Sequence, residues 1–560
     1  MSPMKKTLLL ICFLILFSSI SFSQTIPVGD YTETIARRNQ LLGISDDQSS
    51  FTQHPLNSAF NSIGDSSLQN MVASKSLVPK FTLFGIPSSI KILPFNWLSD
   101  YNSRLPTGYN NGSLYPNVGY ETRISGGVFI KAGILNIQFK PEFVHAENSP
   151  FLTFADIQTN SNNEQLLRAF FATVNGIDAP ERFGPYGISQ MYPGQSKITL
   201  IYKGVEAGVS TENMWWGPGV QNSIMMSNSA PGFLHWTFNS SNPIKTIVGS
   251  FEWQVIGGIL KQSGYNPLDV GRLVPYGNAL YIPKPVVSRY ISAFTVNWHP
   301  KWIDGLFIGA SGYDYMNRDS LFHSNSFLKR LIPIFVGSSE AANNDANSNQ
   351  GDGEDYAYAV NIRQILTKYN AEIYFEFARN DRAASVTDFF LEPEHASAYT
   401  FGGSRLFSLA GNQFIQVKME LTHLQDPDTF LLRDEPSWYV HLVDPRDGYT
   451  NEGRYLGAGI GPGSNSLMLD ISYIKNMSSF GVTIERYVHN NDLYYDAFEG
   501  NNGAFATHWV DLSTVSYANL KFKKYLVSAQ FGPVFDFNYE YYPGNRINLH
   551  ASLNLTYYFD

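Results

Sequence analysis

Two stretches carry residue types and spacings that could do chemistry. In Glu212-Asn213-Met214-Trp215-Trp216-Gly217-Pro218-Gly219, two indoles follow a carboxylate and a carboxamide, and Ser227-Asn228 comes shortly after. Flat rings beside Glu and Asn suit stacking on a sugar ring, with hydrogen bonds to its hydroxyls. On a strand, Trp215 and Trp216 point to opposite sides, so at most one faces a given ligand. An aromatic girdle at a membrane interface accounts for the same residues equally well. The second stretch gathers Glu485, Arg486, His489 and Asp492, with Asp496 beyond. Acid–base work is open to them if the fold brings two carboxylates together. The polar rim of a barrel mouth fits the cluster more simply.

Other patterns fall short of a chemistry. Gly457-Ala-Gly-Ile-Gly-Pro-Gly463 lacks the Lys-Ser/Thr of a phosphate loop and precedes no helical pattern. Close backbone approach at a tight bend is the simpler reason for its glycines. Asp345-Ala-Asn-Ser-Asn349 begins like a calcium loop, but Gln350 and Tyr356 stand where Gly and a bidentate Glu are required. The 11 histidines are scattered, with no pair at metal spacing. No cofactor or metal is expected.

Positioning elements are legible from period. Ile547 to Phe559 alternates apolar and polar residues without a slip. Similar alternation runs through 135–143, 371–377, 415–422 and 467–473, and tight turns alternate with long loops. The polar faces carry both signs: Lys140, Glu142, Glu372, Glu376, Lys418 and Glu420. Alternation alone also fits a soluble sandwich. The turn-and-loop asymmetry, over a length at which a sandwich would divide, favours a transmembrane barrel. With ~24 residues per strand and connection, about sixteen to eighteen strands are expected. At the N-terminus, Lys5-Lys6, the apolar run Leu8–Phe17 and Ser21-x-Ser23 read as a signal peptide cut before Gln24. Its removal takes the only Cys, and takes the formal charge from −9 to −11, a poor balance for nucleic-acid binding. Residues 24–118 are expected to be a helical and irregular periplasmic segment, with three short helices between 26 and 80, the first behind the capping box Asp30–Glu33. Residues 119–560 are expected to form the barrel, with no clear helix inside it and the last strand closing on a strand near 119–131.

Several of these stretches together resemble the Wzi capsule-assembly family of outer-membrane proteins: Tyr109–Gly112 through Gly119-Tyr120 and Arg123, Asn213–Gly219, Ser227-Asn228, Ala230–Phe233, Leu456–Asn465 and Glu485–Asp492. The segment Gly448–Arg454 departs from the family's pattern. The resemblance implies an all-β antiparallel outer-membrane barrel with a small N-terminal helical bundle, and a lectin-like, non-catalytic role in holding capsular polysaccharide. Its partners would be surface polysaccharide, outer-membrane lipid and other envelope proteins. Glu212, Asn213, Trp215, Trp216, Asn228, Glu485, Arg486, His489 and Asp492 are the candidate sugar-binding residues. The alternatives are a transport pore, suggested by the charged inner face, and a docking subunit of an export or adhesion machine, suggested by the long loops.

Overall fold

The computed structural model describes residues 24–45, 49–57, 76–83, 85–158, 164–267, 280–323, 332, 334, 354–380, 391, 394–427, 436–498 and 507–559. The signal sequence, the Asp345–Asn349 loop, the helix expected at Leu68–Val72 and all but the first residues of the one expected from Leu56 to Ile63 lie outside these residues.

Consecutive antiparallel hairpins, closed by pairing of the last strand with Ile86–Asn102, make a barrel of eighteen strands. The sheet has 22 hydrogen-bonded segments. Three staves are each broken in two, for example Leu135–Phe139 with Glu142–Ala146. Ser76–Leu83 pairs only with the part of Ile86–Asn102 that extends past the final strand.

The faces are inverted relative to a soluble protein. In the last strand, Asn545–Tyr557, Asn548 is 0% exposed while Leu549 is 43% exposed. Val360, Ile373, Phe401, Met419, Ile471 and Val482 likewise stand on the outside. Polar atoms face in and hydrocarbon faces out because lipid offers no hydrogen bonds. That settles the choice the alternation alone left open. One rim carries tight turns such as Asn476 and Lys523, both at positive φ, and the other carries the long loops. Short turns mark the periplasmic side.

Two expectations are corrected here. The closing partner is Ile86–Asn102 and not the strand at Gly119–Ala132, so strand structure begins inside the stretch expected to be helical and irregular. The prolines that suggested a broken segment are accommodated. Pro94 sits at the register shift between Leu93 and Asn96, where the ladder needs no donor. Helices also occur in the outer loops. Glu164–Asn175 packs on Asn491–Phe498 through a core that includes Leu166, Leu167, Leu493 and Tyr494. The i, i+3, i+4 spacing of Leu167, Phe170 and Phe171 carried that signal.

The N-terminal helix Tyr31–Leu41 forms as its capping residues dictate. Asp30 accepts from the Thr32 amide at 2.9 Å, Glu33 accepts from the Gly29 amide at 2.9 Å, and Gly43 at φ +66 ends it. It lies inside the barrel at the short-turn end. Arg37 pairs with Glu372 of the wall at 3.0 Å, Arg38 donates to the Asn476 carbonyl of a turn at 3.0 Å, and Leu41 packs on Phe307, Ile365 and Ile474. The residue expected to open the next helix, Leu56, pairs as a strand with Ile26.

Asn548 accepts from the Arg104 and Leu105 amides at 2.9 and 3.3 Å, and donates to Asn102 at 2.9 Å. Asn548→Leu is expected to cost about 3 kcal/mol or more by stranding buried donors. On the lipid face, Leu553→Arg is expected to cost about 2–4 kcal/mol. Urea unfolding in lipid vesicles checks both.

Candidate functional site

The lumen is occupied by the protein's own loops. Thr211–Leu234 dips inward from the long-loop rim, and Trp215-Trp216 pairs as a short strand with Gln53-His54 of the N-terminal segment. Residues 437–463 and 104–118 fold in beside it. Trp438, Tyr439, Tyr449, Leu456 and Ile460 join Met214, Trp216 and Ile224 in one buried cluster with inward side chains of the wall.

Backbone sunk into a barrel loses its water, so each amide and carbonyl needs a protein partner. The wall supplies them. Glu420 accepts from three successive amides, Val220, Gln221 and Asn222, at 2.6, 3.0 and 2.7 Å, and from the Tyr374 hydroxyl at 2.7 Å. Glu252 accepts from the Ser50 amide at 2.7 Å, and Glu121 from the Tyr115 amide at 2.7 Å. Arginines take the carbonyls. Arg289 reaches Gly448 and Thr450, Arg363 reaches Ser50 at 2.8 Å, and Arg454 reaches Ser113 at 2.8 Å while lying over the Tyr115 ring. Arg454 is thus a staple inside the barrel.

The first candidate stretch is part of this plug. Trp215 and Trp216 are 7% and 1% exposed, and the Trp216 indole donates to Gln254 at 3.0 Å. Glu212 accepts from Thr25 and, at 3.0 Å, from Gln138. Asn213 donates to the Ala230 carbonyl at 2.7 Å and accepts from Gln195 at 2.9 Å. Asn228 donates to the Asn110 carbonyl at 2.9 Å, and its own carbonyl accepts from the Gly112 amide at 2.7 Å. Burial and these bonds make both indoles and the two carboxamides part of the plug. The glycine run is a bend of close approach, as its composition suggests: a Cβ on Gly457 would collide with the Ile224 carbonyl. Ser227 donates to the Gly457 carbonyl, and Tyr109 donates to Glu485. The separated stretches that carry the family resemblance therefore meet in space. Toward the short-turn side a polar pocket remains, lined by Lys197, Glu206, Glu212, Glu252, His235 and Asn239 among others.

The second stretch divides. Glu485 is held beneath Tyr109, whose hydroxyl accepts from Gln221 at 2.9 Å. Asp492 accepts from the Asp426 amide at 3.0 Å, so the two carboxylates serve different partners. Arg486 is exposed on the outer face. His489 joins an aromatic platform at the mouth. Its ring stacks on Trp509 at 3.7 Å and 5°, lies 3.8 Å from Tyr487, and its Nε2 is 2.9 Å from Asp511. Trp509 meets Tyr539 and Tyr541 edge-on, and Tyr494 packs on His508 at 3.7 Å. Tyr495 and Tyr542 stand exposed beside them, at 37% and 53%. Trp509, Tyr494, Tyr495 and Tyr542 were not singled out from sequence. Tyr494, Tyr495 and Trp509 lie in the connection between Ser478–Val488 and Val510–Phe522, and Tyr542 in that between Tyr525–Phe537 and Asn545–Tyr557, so only the packing of these loops assembles them.

An apolar outer belt, polar inner face, alternating short turns and long loops, and a lumen filled by its own chain define a plugged outer-membrane β-barrel. The chain belongs to the Wzi family: the sequence profile of the capsule assembly protein Wzi matches residues 137–504. The solved Escherichia coli Wzi, an outer-membrane protein involved in group 1 capsule assembly and a carbohydrate-binding β-barrel, superposes with TM-score 0.58 at 10% identity, covering 96% of this chain and 99% of that one. Acinetobacter baumannii OccAB1 (TM-score 0.38, 9% identity, 87% of this chain and 98% of that one) and Pseudomonas aeruginosa OprD (0.38, 9%, 87% and 95%) are more distant. A comparison with curated proteins finds no match. The protein resides in the outer membrane.

The loops over the platform hold titratable groups. Burial pushes the Glu181 carboxyl up to about 7, against the pull of the Phe154 amide that donates to it at 2.8 Å. Burial and the neighbouring Glu181 raise Glu540 as well. A carboxyl whose folded pKa is raised stabilises the fold below its unfolded pKa, and this contribution is lost as pH rises through the folded value. The loop cap is thus expected to loosen between about pH 4.5 and 7, and Glu181→Gln to flatten that dependence. Hydrogen exchange of Glu164–Asn175 against pH reads it.

Proposed function

We propose that this protein is a non-catalytic barrel that holds capsular or other surface polysaccharide at its outer mouth. The observation that carries the reading is the aromatic platform. Exposed Tyr495 and Tyr542 adjoin the stacked His489–Trp509 pair, with exposed Arg486 and Asp496 nearby. Aromatic faces take the apolar side of a sugar ring, and the charged groups take hydroxyls or acidic sugars. Membership in the Wzi family and the carbohydrate binding of the E. coli relative support it. Of the candidate residues, Arg486, His489 and Asp492 belong to this mouth, while Glu212, Asn213, Trp215, Trp216, Asn228 and Glu485 shape the floor beneath it.

Tyr495→Ala with Trp509→Ala is expected to weaken polysaccharide binding on the order of tenfold, a loss of about 1.4 kcal/mol. It should also raise the fraction of polysaccharide shed from cells. Trp302→Ala at the opposite rim serves as the control and is expected to bind normally. Unchanged retention in the double variant would sink the proposal.

The plug argues against a transport pore. In planar bilayers the intact protein is expected to be silent. Glu420→Ala, which strands the amides of Val220, Gln221 and Asn222, is expected to admit intermittent openings. A large, steady conductance from the unaltered protein would instead make it a pore.

A further inference from the structure

The short-turn rim has a charge pattern that polysaccharide binding at the other end does not use. Four of its turns present a lysine directly beside an exposed aromatic ring and over its face. Lys203 Nζ lies 5.2 Å from the Tyr202 ring centre, and Lys523 Nζ 5.4 Å from that of Phe522. Lys301 and Lys368 lie 5.8 Å from Trp302 and Tyr369. On the adjoining wall the Arg405 guanidinium lies 4.7 Å from the Phe407 ring. The rings are 37% exposed at Tyr202, 62% at Trp302, 54% at Tyr369, 63% at Phe522 and 43% at Phe407. Lys245 and Lys475 are exposed at the same level. Among the described residues of this rim, Asp304 is the single exposed acid.

This is not a general property of the chain, whose formal net charge is −9. At the long-loop rim, exposed Glu147, Asp319, Asp444 and Asp496 offset Arg104, Arg168, Arg318 and Arg486. Within the barrel, cations are matched by carboxylates, as Arg363 is by Glu372 at 2.7 Å. Among the described residues of the short-turn rim, positive charge is left over.

Its placement selects the partner. An exposed ring at a barrel rim lies at the boundary between hydrocarbon and headgroup. A lysine or arginine over that ring has its stem along the apolar surface and its charge at headgroup level. We propose that this rim is a binding surface for anionic phospholipid headgroups of the periplasmic leaflet, with the phosphates bridged between neighbouring turns. The protein would then gather a shell of anionic lipid, fixing its depth and tilt beneath the mouth.

The test is native mass spectrometry of the full-length protein extracted from vesicles of phosphatidylethanolamine with phosphatidylglycerol. The unaltered protein is expected to retain phosphatidylglycerol several-fold above its share of the bilayer. The enrichment should decline as salt is raised, because the contacts are exposed and screened. The variant Lys203→Gln, Lys301→Gln, Lys368→Gln, Lys523→Gln is expected to lose the enrichment. Arginine at the same four positions should keep it, as should Arg168→Gln with Arg318→Gln at the opposite rim. Equal retention of the two lipids by the unaltered protein, enrichment indifferent to salt, or enrichment undiminished in the glutamine variant would each overturn the proposal. The first two outcomes need no variant to fold. Polysaccharide binding by the same samples is a separate reading and moves independently.

Discussion

The structure depends on how backbone buried inside a barrel is hydrogen-bonded. A loop in the lumen has neither ladder nor bulk water, so the wall must supply acceptors for its amides and donors for its carbonyls. Glu420 does this for three consecutive amides, and Arg289 for two carbonyls across the lumen. Charged partners suit the task because a bond to an ionised group contributes roughly twice that of a neutral one. They are tolerable only when saturated, since a buried charge lacking partners is strongly destabilising. The polar lumen face is therefore a mould for the plug. Removing the inward loops would leave the wall's carboxylates without their donors, and removing the carboxylates would leave the loops without acceptors.

That mutual dependence ties the mouth to the plug. The aromatic platform rests on loops whose other ends are pinned in the barrel. Tyr487 donates to the Ile460 carbonyl at 2.6 Å, and Tyr541 to the Asn490 carbonyl at 3.0 Å. Sugar sites gain from such support, because shallow contacts to a hydrated ligand leave little free energy for ordering the protein. The N-terminal helix belongs to the same body, since His54 pairs with Glu33 at 2.8 Å while its strand holds Trp215.

Legibility in the sequence follows the range of the interactions. Alternation, turns and the first helix's cap are local, and they pointed to an antiparallel barrel with short and long connections. The sign of the faces was not local: Asn548 reads the same whether it meets water or the plug. The closing strand was missed because Pro87 and Pro94 resemble breaks, and only the bulge shows how Pro94 is carried. The platform was half-legible. His489 was singled out, but Trp509 and Tyr494 follow it through segments with no periodic pattern.

The most conspicuous motif changed its meaning most. Trp215-Trp216 reads from sequence as a sugar site because flat rings stand beside Glu and Asn. Inside the barrel, both indoles are packed and the Trp216 indole is hydrogen-bonded. The stretches that carry the family resemblance, 109–112, 213–219, 227–233, 456–465 and 485, touch one another in and around this plug. They therefore identify a way of filling a barrel. In the function proposed above, the residues that meet a sugar lie above them: Arg486, His489 and Asp492 at the end of the last stretch, and the exposed tyrosines on loops outside these motifs. On that reading the plug and most of the mouth are separate parts of the chain, meeting only in the stretch 485–492, so a barrel of this kind could change its polysaccharide by altering the outer loops while the plug's hydrogen bonds stay as they are.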